Sequence, residues 1–266
     1  MRTILKRIAF AALALLAVFL LYDHVKRERE KVNTPPETEQ TETEPAEEAQ
    51  SVSVIRVGDG VILGTVRENT EQGGVDITVI GEDGTEEVHT FTDVVPDSWY
   101  VNAVNFAVSA KLMNGIGEEP IFQPEYGMLR ESFAQVLYRF THGRPVEPKR
   151  KFSDVAEDSW YYDAVSWVTN ERIMPSFDTS TFGVGQYMTC EQTLICLYRV
   201  AGQPDTDGTL ENYPYASKVS GAGRSAVDWA WKIGLITEDE CVWYPTQAIS
   251  RAQVALLLMR LSSMST

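Results

Sequence analysis

Cysteine and histidine are both scarce, with three of each in 266 residues. Cys190, Cys196 and Cys241 show no Cys-x-x-Cys spacing, and an odd count builds neither a disulfide framework nor a zinc site. They are expected to be small buried thiols. His24, His89 and His142 are scattered, which leaves a histidine-based metal centre or catalytic pair without material. No metal and no cofactor is expected. Excess positive charge is missing too, the formal net charge being −15. Residues 1–50 hold seven basic and nine acidic side chains, residues 51–90 two and eight, and residues 91–266 fourteen and twenty-one. No segment is basic overall, and nucleic acid is not an expected partner. A membrane-length apolar run is also absent. The longest, Ile8 to Tyr22, has 15 residues, where a spanning helix wants about 20.

That short run follows Arg2, Lys6 and Arg7, the layout of an export signal. No small-x-small cleavage site follows it, only "DHVKRERE". Residues 1–23 therefore read as an uncleaved signal-anchor, with a cleaved signal peptide as the rival, and the rest of the chain reads as exported. Basic residues on both sides leave the orientation weakly specified. Residues 24–51 form an acidic linker. Its stretch "NTPPETEQTETEPAEEAQ" carries six glutamates, three prolines and no aromatic residue. Such a segment buries too little apolar area to offset its ordering entropy and is expected to be a disordered spacer. As a random coil it would span on the order of 30 Å.

Residues 52–90 change period. The β-branched runs "SVSVIRV", "VILGTV", "VDITVI" and "EEVHTF" are punctuated by glycine-rich turns and predict three or four short strands. Asp59 and Asp83, beside glycines, read as turn residues rather than calcium ligands. About forty residues make a marginal fold alone, so this small all-β region should pack on something. A protein partner at an open strand edge is one alternative.

From Phe91 the chain is helical and repetitive. "FTDVVPDSWYVNAV" begins at Phe91 and "FSDVAEDSWYYDAV" at Phe152, 61 residues later. In the first copy Val101, Val104, Val108 and Leu112 fall at helical spacing behind Asp97 and Ser98, which could cap the helix. Later helices put Phe133, Val136, Leu137 and Phe140, then Thr193, Cys196, Leu197 and Val200, then Val254, Leu257, Leu258 and Leu261 on one face. Thr189 with Gln192, and Ser250 with Gln253, fit the capping box, whereas Leu129 cannot cap. Three helix-loop-helix units follow, at 91–147, 148–206 and 207–266. The third is marked by Ala226, Val227 and Trp229. None can bury its apolar stripe alone, and a shared core around a pseudo-threefold axis is the simplest closure. Each later helix ends near an arginine, Arg139, Arg199 or Arg260, which suits a helix C-terminus. Arg130 and Arg251, by contrast, sit in a first turn, where the helix dipole disfavours a cation. A bound anion would offset that cost.

The pattern Phe-x-Asp-Val, Trp-Tyr, Ala-Val, Phe-x-Pro and a Thr-Arg-Ala-Glu-like helix start resembles the S-layer homology domain. The resemblance covers residues 91–261, strongly in the first two repeats and less so in the third. It implies a mainly α fold of three repeats in a three-lobed bundle. It also implies non-covalent attachment to a Gram-positive-type cell wall, through grooves between repeats that hold acidic secondary wall polysaccharide, often pyruvylated. The ligand contacts it implies are Arg130 and Arg251, the aromatics Trp99 and Trp160, and the motif aspartates Asp93 and Asp154. Each has a plainer reading as well: Trp99 and Trp160 as core anchors, and Asp93 and Asp154 as turn fixers. Cys190 stands where the second arginine belongs, and Tyr215 and Ala222 replace the third aspartate and tryptophan.

The expected function is therefore an exported, non-catalytic wall-binding protein that links membrane to wall. The alternative is an envelope interaction scaffold whose grooves no longer take sugar. An enzyme is not expected, because about forty residues precede the repeats and no nucleophile–base or paired-carboxylate constellation stands out.

Overall fold

The computed structural model describes residues 56–57, 61–81, 83–117 and 119–264. The apolar segment 1–23, the linker 24–51 and the first residues of the β region lie outside these.

Two-residue strands β1 (Arg56–Val57) and β2 (Val61–Ile62) pair antiparallel. Strands β3 (Thr65–Glu68), β4 (Val75–Ile80) and β5 (Glu86–Phe91) then form a three-stranded antiparallel sheet in sequence order. Alternation decides its faces. Val75, Ile77 and Val79 of β4 are buried, while Ile80 and Val88 point out. Asp76 ties the sheet together, accepting from Asn69 Nδ2 at 3.0 Å and Thr90 Oγ1 at 2.7 Å. Gly74 is obligatory: its φ is +77°, and a Cβ there would lie 2.1 Å from the Phe91 carbonyl oxygen. Asp83 fixes the β4–β5 turn, accepting from Thr85 N at 3.1 Å and Thr85 Oγ1 at 2.7 Å.

The sheet packs on the helical region, as its small size requires. Gly64 N donates to Ser109 Oγ and Asn105 Nδ2 donates to the Gly64 carbonyl, both at 2.8 Å, and Ser109 Oγ donates to Asn105 Oδ1 at 3.0 Å. That closed triangle seats the β2–β3 junction on the first helix, and β4 shares one hydrophobic core with all the helices.

Six α-helices follow: α1 (Val101–Ser109), α2 (Arg130–Phe140), α3 (Tyr162–Asn170), α4 (Cys190–Val200), α5 (Arg224–Lys232) and α6 (Arg251–Met264). Most of the predicted apolar stripes are buried, with Phe133, Leu137, Leu197, Val254, Leu257 and Leu258 wholly so, while Val101, Phe140 and Val200 at the stripe ends are half-buried. Both capping boxes form, Thr189 with Gln192 and Ser250 with Gln253. The cap expected from Asp97 and Ser98 does not. The N-cap of α1 is Tyr100, and Ser98 Oγ donates instead to the Val95 carbonyl at 2.7 Å, because the chain makes a tight turn before the helix begins.

Helix pairing crosses the units. α2 packs on α3, α4 on α5, and α6 returns to α1, so each unit's second helix covers the first helix of the next. The turns before the second helices interlock by backbone hydrogen bonds in the same cyclic order. Met128 N donates to Ile249 O, Ile249 N to Met188 O, and Met188 N to Met128 O, at 2.8, 2.9 and 2.8 Å. A second ring runs Arg130 N to Gln186 O, Cys190 N to Gln247 O and Arg251 N to Tyr126 O, each at 2.9 Å. Met128, Met188 and Ile249 are buried at the centre.

Candidate functional site

The second ring consumes the first N–H of each later helix. A helix N-terminus usually offers such donors to an anion; here neighbouring carbonyls take them. The same neighbours take the arginines. Arg130, 5% exposed, donates through Nε to the Phe182 carbonyl at 3.0 Å and through Nη2 to the Pro175 carbonyl at 2.6 Å. Arg251, 9% exposed, repeats this from the third unit onto the first, with Nε to Phe122 O and Nη2 to Asn114 O, both at 2.8 Å. Each guanidinium lies over the ring it reaches past, Phe182 at 5.0 Å and Phe122 at 4.6 Å. Desolvation lowers both pKa values, Arg251 to about 10, so both stay charged at neutral pH. The offset to the dipole cost is therefore a pair of carbonyls and an aromatic face supplied by the next unit.

Asp93 and Asp154 hold the other end of those loops. Asp93 accepts from Phe122 N at 2.8 Å and Gln123 N at 2.6 Å. Asp154 accepts from Phe182 N, Gly183 N and Val184 N at 2.8, 2.7 and 2.9 Å. Burial alone would raise the Asp154 pKa, but these three donors outweigh it and hold the carboxyl below its usual range. Each motif aspartate thus grips the N–H groups of the loop whose carbonyls an arginine grips. The structure brings Asp93 together with Arg251, and Asp154 with Arg130, on opposite sides of Phe122 and Phe182.

Trp99 and Trp160 stand apart from this network. They are exposed, at 37% and 63%, so neither is a core anchor. Each rests edge-on against the next tyrosine, Trp99 on Tyr100 at 5.3 Å and 86°, Trp160 on Tyr161 at 5.1 Å and 83°. The Asp-Ser-Trp-Tyr spelling therefore builds the same upright indole twice. It is held by a tyrosine and presents apolar surface to solvent.

The third unit reaches similar ends with other atoms. The carbonyl of Trp243, which stands where Phe122 and Phe182 do, accepts from the buried Tyr213 hydroxyl. That hydroxyl replaces the guanidinium that Cys190 cannot supply. The indole Nε1 of Trp243 is the one fully buried side-chain polar atom without a partner among the described residues. Asp228, fully buried, winds the entry loop by accepting from Leu210 N at 2.8 Å and Gly208 N at 3.2 Å, and pairs with Lys232 at 3.0 Å. Tyr215 packs against Tyr213 and Tyr244 rather than gripping a loop.

Three further arginines share a role that their spacing alone announces. Arg139, Arg199 and Arg260 donate through Nη1 to the carbonyls of Leu112, Ile173 and Leu235, at 3.2, 3.0 and 3.1 Å. They tie each second helix to the chain leaving its own first helix. The helix dipole accounts for their sign but not for this bond, and their recurrence at one offset in all three units was the signal.

Burial pushes the thiols of Cys190 and Cys196 up to about 12, which keeps both as neutral core groups at physiological pH. Among the described residues, no helix is long and apolar enough to cross a membrane. No curated protein matches the chain. The S-layer homology domain model matches residues 90–134 and 151–192, the two segments that contain the upright indoles, the gripping aspartates and Arg130. These two segments are therefore S-layer homology repeats.

Proposed function

We propose that the protein is an exported, non-catalytic wall-binding protein that holds acidic secondary cell-wall polysaccharide through its repeats and links membrane to wall by way of the N-terminal segment. S-layer homology domains are generally cell-wall or S-layer binding modules, and the two repeats imply envelope or surface association. One observation carries the finer reading: Trp99 and Trp160 are exposed in equivalent settings, each braced by a tyrosine. An indole left in water costs apolar hydration with no folding gain, and sugar rings stack on such faces. Arg130, Arg251, Asp93 and Asp154 act in this reading as positioning residues that fix the loops between the platforms. The cyclic helix pairing and the two hydrogen-bond rings support a pseudo-threefold bundle, with residues 207–264 as a third, divergent repeat. Two platforms on one rigid body would gain avidity when a single polymer reaches both.

The test is co-sedimentation of the full chain with purified walls, intact or stripped of secondary polymer. Pelleting with intact walls only, and loss of pelleting in a Trp99→Ala/Trp160→Ala double variant, is the expected result. Equal pelleting of parent and variant would remove the indoles from the function. The outward Ile80 and Val88, at 53% and 58% exposure, favour a second reading in which the sheet docks a protein partner. That reading takes over if folded parent protein stays in the supernatant.

A further inference from the structure

The three units leave one equivalent place in three different states. It lies beside the end of the first helix, under the residues that lead into the Phe-x-Asp-Val motif. In the first unit the β-sheet covers it, since Gly64 donates to Ser109, the last residue of α1. In the third unit, Lys232 at the same position pairs with Asp207 and Asp228, and Arg260 pairs with Glu240. In the second unit the chain from Glu147 to Lys149 lies across it, Asn170 Nδ2 donating to the Glu147 carbonyl at 2.8 Å and Lys149 N to Asn170 Oδ1 at 2.9 Å, and the cations beside it form no ion pair among the described residues. A cleft of about 440 Å³ opens there, with Lys149, Arg150, Arg172 and Arg199 around a floor that includes Phe152 and Met174.

No carboxylate lines this cleft, in a chain of net charge −15. Lys149, Arg150 and Arg172 are exposed, and none of the four cations forms an ion pair among the described residues. Arg199 spends one donor on the Ile173 carbonyl and keeps others. Arg172 has φ +58°, as Lys111 has +55° at the same place in the first unit, where the third has Gly234 at +73°. The wall of the cleft is also fixed from behind. Arg199 holds the Ile173 carbonyl and Arg130 the Pro175 carbonyl, so the segment between them is pinned on two sides. Four like charges gathered without an ion-pair partner raise the free energy of the empty site, and an anion relieves it.

We propose that this cleft binds the anionic substituents, carboxylate or phosphate, of a sugar polymer. The cationic rim takes the charge by charge-assisted hydrogen bonds and the apolar floor takes the sugar ring. The inference rests on the wall-polysaccharide reading for the kind of polymer, and on the cleft alone for its charge. It places a second contact within the second unit, separate from the indole platforms.

The experiment titrates the full chain with polygalacturonate, poly(glycerol phosphate) and neutral dextran at low and high salt. Binding of at least one polyanion but not of dextran, weakened by salt, is expected. An Arg150→Ser/Arg172→Ser variant should lose about tenfold or more in affinity with an unchanged helical spectrum, and Arg67→Ser, on the exposed part of β3, should lose nothing. The preferred polyanion identifies carboxylate or phosphate as the source. No polyanion binding at low salt, equal binding of dextran, or an unaffected double variant would each overturn the proposal. Wall co-sedimentation that depends on Trp99 and Trp160 stands or falls separately, which keeps the two readings distinguishable.

Discussion

Arg130 and Arg251 show what a guanidinium does that an ammonium cannot. Two donors in a fixed fork reach two carbonyls of a neighbouring loop while the planar face covers a phenyl ring. Arg251→Lys keeps the charge but loses the fork, leaving at least one of the Phe122 and Asn114 carbonyls unpaired. It should cost about 2–3 kcal/mol, read from urea denaturation of parent and variant. A loss below roughly 0.5 kcal/mol would mean that the fork is dispensable. Asp154 is the matching acid. Its folded pKa lies below the ordinary aspartate value of about 3.9, so its contribution is fully present above that value and fades as pH falls through the lower folded one. Asp154→Asn should therefore lower stability at neutral pH and flatten the acid limb of the stability–pH curve. An acid limb of unchanged slope would assign it to other carboxylates.

At the scale of elements, the helix starts differ in a way that can be tested. α4 and α6 open on complete capping boxes, whereas α2 opens on Leu129, which offers no side-chain acceptor. Leu129→Thr should stabilise the protein by about 0.5–1 kcal/mol, seen as a rise in Tm. A fall would show that Leu129 earns its place by packing. The sequence made the helices, their buried faces and both boxes legible, because periodicity and capping are local. It could not say which helix covers which stripe. Val136 and Leu137 need an apolar cover, but nothing in their spacing chooses α3, in the next unit, over α1. The same limit hid the partners of the first-turn arginines. Their unfavourable position was visible at Arg130 and Arg251, and the carbonyls that answer it come from loops 45 to 137 residues away. The basic cleft was spelled "KRK" from Lys149, but a net-charge count over a long acidic segment averages it away.

At the scale of the molecule, cyclic pairing makes the helical region one cooperative body, since α6 closes on α1 and the sheet rides on α1 through Asn105 and Ser109. A rigid frame of this kind fixes the distance between Trp99 and Trp160, and under the proposed function that would let two weak sugar platforms act together. The third unit keeps the frame while replacing its parts. Tyr213 stands in for an arginine at the Trp243 carbonyl, and Asp228 grips the entry loop that leads to Tyr213. Closure is kept there without the indole, since Ala222 stands at that place. The measurement that reaches the central claim most directly is hydroxyl-radical footprinting of the full chain with and without purified secondary wall polysaccharide. Strong protection of Trp99 and Trp160, with little change at the outward Ile80 and Val88, is the expected result. A polymer that binds but leaves both indoles as reactive as in the free protein would contradict it.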